Sequence, residues 1–388
     1  MSRIPVSGIG VVAPGAIGVD AFRELLASGR SAISAVDRFD TTGLIAQSAA
    51  LVRDFKPKEF IAPMKMRRMN ALSRLCVAAA KLAIADCGAS LEANTGVALG
   101  TAFGPVQTSV EYMQEYVEKG AALAPPQLFA ESVANAPGSH IAIEWGLRGF
   151  NVTVTQRESS ALAAAMYASM QLVKGSVNAA LIGGVEEANE MLFSVLDRVR
   201  ALAPDAARPF DDQRNGVSLG EGSAILVLGA GSRKPYGWLS GFAMARDTTA
   251  SGSDWGSDAN AVAHAMKSAV DDAELSLDSI DAVYASANGS LRGDALEAAA
   301  LTQLFGASLP PVVATKGIFG EYAAGGALQL AAALLALDEQ RLHTSVGFER
   351  GPIAVNREAR DANLRHILVN SLSAGGGVVC AVISREEA

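Results

Sequence analysis

Cysteine and histidine are scarce in this 388-residue chain, which has three of the first and four of the second. Cys76, Cys87 and Cys380 have neither disulfide-framework nor thiolate-cage spacing. They read as small buried hydrophobes, and an intracellular, reducing compartment, the cytoplasm, is expected. His140 and His264 fall within helical patterns, while His343 and His366 lie near turns or a strand start, so all four read as structural. No metal site is expected. Charged residues make up only 19% of the chain and sum to −8, which argues against nucleic acid, whose phosphates need a concentrated basic surface. Long apolar runs are missing too. The two longest uncharged stretches, residues 159–173 and 322–337, fall short of the ~18 residues that suggest a membrane span. They are dominated by Ala, Gly and Leu and predict buried core helices, with no membrane partner. Residues 1–8 run straight into a β-like segment without the apolar stretch of a signal peptide.

What the chain has in abundance is glycine (38 residues), alanine and a 50% hydrophobic fraction, which suits a closely packed α/β body. In the first half, strands are predicted over 6–12, 96–100, 152–155, 179–182 and 223–228, and helices over 19–28, 67–87, 106–119, 139–144 and 160–174. In the second half, strands are predicted over 236–243, 280–285, 312–314, 365–371 and 378–384, and helices over 258–272, 295–304 and 325–338. Two similar α/β halves are expected, 1–235 and 236–388, joined near 229–237. The run Gly375-Gly376-Gly377 lies between two strands rather than before a helix, so it does not read as a nucleotide loop, and no cofactor is expected.

Residues 150–161 read as a strand, a sharp turn and a helix of small residues, a common way to present a reactive side chain beside backbone N–H groups. The tip carries Glu158, flanked by Arg157. A buried glutamate there could be held ionised by the arginine or made neutral by desolvation.

Several patches occur in one order. Val6 to Gly15 is followed by Arg38-Phe39-Asp40, then by Arg208-Pro209-Phe210-Asp211 with Arg214 and Gly216, then by Gly220-Glu221-Gly222. Lys316-Gly317-Ile318-Phe319-Gly320 and Asn370 to Gly376 complete the set. Along essentially its whole length the chain resembles the β-ketoacyl-acyl-carrier-protein synthases, which implies the thiolase fold, a layered αβαβα core. The family performs a decarboxylative Claisen condensation. A cysteine at the elbow stores the acyl chain as a thioester, two histidines assist malonyl decarboxylation, and two backbone N–H groups hold the oxyanion. The resemblance puts Glu158 at the cysteine position, Ser286 and Glu321 at the histidine positions, and one oxyanion N–H on Ala374. It makes Lys316 and Glu221 supporting residues, expected here as a buried ion-pair network around a vestigial pocket. Ala374 also lacks the bulk of the phenylalanine gate usual at that position.

All three catalytic side chains are therefore replaced, and a carboxylate cannot stand in for the thiol because it would give a mixed anhydride rather than a stable acyl store. A ketosynthase body without its cysteine resembles the chain-length factors of type II polyketide synthases, although glutamine is more usual there than Glu158. That resemblance implies a heterodimer with an active β-ketoacyl synthase and a shared tunnel for a polyketide or polyene on the phosphopantetheine of an acyl carrier protein. Val106, Ser109 and Met113, at i, i+3 and i+7 of one helix, share a face. They match positions at the end of that tunnel, although periodicity alone fits a core stripe equally well. Strand 152–155 and the region 123–135 are expected at the interface. Two alternatives stay open: a malonyl-carrier-protein decarboxylase that makes priming units, and a homodimeric acyl-binding scaffold.

Overall fold

The computed structural model describes residues 3–88 and 90–385. The first half contains β1 (Ile4–Ala13), α1 (Val19–Ser28), α2 (Ala71–Cys87), β2 (Thr95–Gly100), α3 (Val106–Lys119) and α4 (Pro126–Glu131). It continues with α5 (Ala136–Trp145), β3 (Asn151–Val154), α6 (Ser160–Val173), β4 (Ala179–Glu186), α7 (Glu190–Arg198) and β5 (Gly222–Leu228). The second half contains β6 (Gly237–Arg246), α8 (Ala259–Asp272), β7 (Ala282–Tyr284), α9 (Leu291–Phe305), β8 (Val312–Val313), α10 (Ala323–Glu339), β9 (His366–Ser373) and β10 (Gly377–Ser384).

Strand order shows an internal repeat that the sequence does not display. Ten of the sheet's eleven strands run β8-β7-β9-β10-β6-β1-β5-β4-β2-β3, and the two-residue strand Ala16–Ile17 pairs back on β1. Numbered within its own half, each set has the order 3-2-4-5-1. In both halves strands 2, 3 and 4 are parallel and strands 5 and 1 antiparallel. The halves meet where β1 pairs antiparallel with β6, Ile4 opposite Leu239 and Val6 opposite Gly237.

Burial explains the layers. β4 is buried at every position, as a strand covered on both faces must be. α6 and α10 are lined with alanine and leucine and lie between the two halves, in one core cluster with residues of both sheets. Helices hydrophobic all round belong in such a middle layer. α2 covers the outer face of the first sheet, α8 and α9 that of the second. Gly100 lets this packing close over the elbow, since a Cβ there would lie 2.4 Å from the Ala161 nitrogen of α6.

Three expectations need correction. The helix predicted over 67–87 begins at Ala71, because Asn70 is extended and its side chain accepts from Ser73 N–H as an N-cap. The helix predicted from 295 begins one turn earlier, at Leu291. α4 and α7 were not anticipated at all. Among the described residues, no helix is long and apolar enough to cross a membrane.

Candidate functional site

β3 ends at Val154, and the chain turns through Arg157, a non-glycine residue at φ +50°, into a short 3-10 turn and then α6. That strained turn carries Glu158, 5% exposed, at the inner end of the elbow. Arg157 itself points to solvent, and among the described residues it forms no ion pair with Glu158. The first of the two options left open by the sequence is thereby removed. Burial, with the Glu321 carboxylate adding to it, pushes the Glu158 carboxyl up to about 7, against the pull of its own N–H, Lys316 and the Ala374 N–H. The Ala374 N–H donates to Glu158 Oε2 at 3.2 Å, and Ser371 Oγ donates to the Glu158 carbonyl at 3.2 Å.

Glu321 lies at the start of the next strained turn, where Tyr322 takes φ +82° before α10. Its Oε2 accepts from Lys316 Nζ at 2.7 Å and Asn288 Nδ2 at 2.6 Å, and its Oε1 accepts from Tyr322 N–H at 2.7 Å. Burial pushes this carboxyl up, and those donors oppose the push. Ser286 is turned to backbone instead. Its Oγ accepts from Leu372 N–H at 2.8 Å, its own N–H donates to Glu297 Oε1 at 2.9 Å, and the space beside it has no room for a water molecule.

The fold thus brings Glu158, Ser286, Glu321, Lys316 and Ala374 together from the elbow, β7, the turn before α10 and the β9–β10 hairpin. Glu221 does not join them. Its carboxylate is held by Arg38 at 2.7 Å through both oxygens, with Val52 N–H at 2.7 Å and Ala188 N–H at 3.2 Å, in the wall of a separate cleft of about 590 Å³. The expected single network is therefore two separate ion pairs. The block containing Glu221 still touches the site through its backbone, since Glu321 N–H donates to Ser218 O at 3.0 Å.

Residues singled out less clearly by the sequence do much of the positioning. Asp294 accepts from the N–H groups of Phe210, Asn288 and Gly289 at 2.7–3.0 Å, tying the loop after β7 to the Arg208–Asp211 motif. Asp211 in turn accepts from Gln213, Glu349 and Arg350 N–H. The motif that carries the resemblance best is a brace.

No side chain of the site is a usable nucleophile or imidazole. His140 pairs with Glu131, His343 with the Tyr284 hydroxyl and His366 with Ser384, while His264 is exposed. Burial drives His343 down to about 3, so it stays neutral. Cys76, Cys87 and Cys380 are buried within α2 and β10. Among the described residues no cluster of three potential metal ligands occurs.

Stereochemistry, layering and sheet order are those of the thiolase fold. Residues 1–233 match the family model described as beta-ketoacyl synthase, N-terminal domain, and residues 236–349 match beta-ketoacyl synthase, C-terminal domain. The chain belongs to the beta-ketoacyl synthase family. It is 30% identical to a putative polyketide beta-ketoacyl synthase 1 of Streptomyces halstedii, over 98% of this chain and 97% of that one. It is also 30% identical to the tetracenomycin polyketide synthase ketoacyl synthase beta subunit of Streptomyces glaucescens, over 89% and 88%. Among solved structures, the ishigamide ketosynthase/chain length factor superposes with a TM-score of 0.91 at 26% identity, covering 99% of both chains.

Proposed function

We propose that this chain is a non-condensing ketosynthase homologue, a chain-length factor. It pairs with an active β-ketoacyl synthase and shapes the tunnel for a polyketide or polyene borne by an acyl carrier protein. The observation that carries this reading is the joint replacement at one site. The elbow presents a carboxylate, and the two positions that the resemblance assigns to the histidines hold a serine bonded to backbone and a glutamate in an ion pair. A thiolate nucleophile and imidazole acids are what the condensation needs. Similarity to a ketoacyl synthase beta subunit and to a ketosynthase/chain length factor points the same way.

Two features of the surface favour a large partner. β3 is the terminal strand of the sheet and leaves one hydrogen-bonding edge open. α3, α4 and the segments that follow them carry the exposed apolar residues Met113, Tyr116, Val117, Leu123, Phe129 and Val133. Met113 is 52% exposed and Ser109 half-buried, so the face shared with Val106 is not a stripe of this chain's own core. An apolar exposed patch of this kind suits a permanent interface.

Co-expression with an active ketosynthase from the same gene neighbourhood tests the proposal. A stable one-to-one complex that extends chains, with this chain alone inert, is the expected result. A homodimer that ignores the ketosynthase supports the scaffold reading instead. Acetyl-carrier protein formed from malonyl-carrier protein by this chain alone supports the decarboxylase reading.

A further inference from the structure

Arg74 and Glu187 are opposite charges that face one cleft without meeting. The hollow of about 590 Å³ beside Glu221 adjoins a second of about 300 Å³, and Ala71, Arg74, Gln107 and Glu187 line both. The two form one cleft, set between the starts of α2 and α3 and the loop from β4 to α7. Arg74 lies in the first turn of α2, at the positive end of the helix dipole, where a cation gains nothing from the helix. Its Nη2 donates to Met66 O at 3.2 Å, while its Nε is shut off from water and has no acceptor. Among the described residues it forms no ion pair. The other two arginines of the larger hollow are engaged, Arg38 with Glu221 and Arg53 with Asp37.

Glu187 is 4% exposed. Its Oε1 accepts from Gln107 N–H at 2.8 Å and from Asn189 Nδ2 at 3.3 Å, and among the described residues its Oε2 has no donor. Burial pushes this carboxyl up to about 7, the Glu221 and Glu111 carboxylates add to the push, and the two donors oppose it. A guanidinium N–H without an acceptor and a buried carboxylate oxygen without a donor each cost free energy, and one ligand can satisfy both. Such a ligand carries an anionic and a cationic group on a short frame. Phe39, Val52, Phe55 and Leu75 in the wall call for an apolar remainder. We propose that this cleft binds an apolar α-amino acid, with its carboxylate on Arg74, its ammonium on Glu187 and its side chain against the apolar wall. The site is separate from the elbow and does not rest on the chain-length reading.

The test is calorimetric titration of the full-length chain with L-phenylalanine, with phenylpropanoate, which lacks the ammonium, and with phenylethylamine, which lacks the carboxylate. Phenylalanine is expected to bind at least tenfold more tightly than either single-charge analogue. This comparison uses the wild-type chain and does not depend on a variant folding. Arg74→Met and Glu187→Gln locate the site, and each should weaken phenylalanine binding at least tenfold. The Gln oxygen can still accept from Gln107 N–H, so the start of α3 keeps its contact. No saturable binding of phenylalanine overturns the proposal. Equal binding of phenylpropanoate overturns it in favour of a plain carboxylate site, and equal binding of phenylethylamine in favour of a plain cation site. Binding that neither substitution weakens lies elsewhere and overturns it too. None of these outcomes bears on complex formation or product length.

Discussion

Lys316 Nζ lies 2.7 Å from Glu321 Oε2, with both side chains essentially shut off from water. Taking two charges out of solvent costs several kcal/mol each, and the pair recovers that cost only through close geometry and further hydrogen bonds. Asn288 and Tyr322 supply those bonds to the carboxylate. The pair closes the buried site behind the elbow as one ion pair.

Breaking the pair on one side should therefore be costly. Lys316→Met leaves an uncompensated buried carboxylate and is expected to lose about 3–5 kcal/mol in urea unfolding. Lys316→Met combined with Glu321→Gln should lose clearly less, because no charge is left buried and the amide oxygen still accepts from one of the two donors, Asn288 or Tyr322. A double variant at least as unstable as Lys316→Met alone would show that the charge is not what matters.

Glu158 gives a pH signature with a definite sign. Its carboxyl is raised from 4.5 to about 7 in the folded chain, so between those values the native state holds a proton that the unfolded state has released. The stabilising contribution of the neutral acid is complete below about 4.5 and is lost as pH rises through about 7. Glu158→Gln removes this dependence. Relative to wild type it should gain stability on going from pH 5 to pH 8, by at most roughly 3 kcal/mol. Parallel stability–pH curves for the two proteins would exclude a perturbed Glu158.

Much of this was legible in the sequence, and the limits have physical causes. Nearly every long strand and helix was placed from periodicity, yet α7 was not. Asn189 caps it and Leu192, Phe193 and Leu196 face inward, but Met191, Val195 and Val199 lie exposed on the other side. The helix spans only 9 residues, fewer than the roughly 11–18 over which apolar periodicity is read. At the site, the motifs pointed to residues that the fold brings close, Glu158, Lys316, Glu321 and Ala374, because their order along the chain was readable. They could not assign side-chain partners. Glu221 immediately precedes β5, yet its carboxylate belongs to Arg38, fixed by contacts between residues far apart in sequence.

The three cysteines should behave as core atoms. All are buried, and burial pushes the thiol of Cys76 up to about 12 and that of Cys380 up as well, so thiolate is scarce at neutral pH. Iodoacetamide is expected to leave the native chain unmodified by intact-mass measurement and to label three positions in denaturant. A native single adduct would reveal an accessible thiol and reopen the question of an acyl acceptor.

Ser109 tests the tunnel most directly. Its hydroxyl donates to Pro105 O at 3.0 Å and to Ser132 O at 3.3 Å, so the side chain sits between α3 and the segment after α4, on the face it shares with Val106 and Met113. If that face closes the end of a tunnel completed by the partner, a larger side chain shortens the space available to the growing chain. Ser109→Phe is therefore expected to give shorter products from the reconstituted complex, read by mass spectrometry of the carrier-bound acyl chains. Gel filtration of the same sample shows whether the two subunits remain associated. A complex that assembles normally and releases products of unchanged length would remove this helix face from the tunnel and leave it a role in the interface alone.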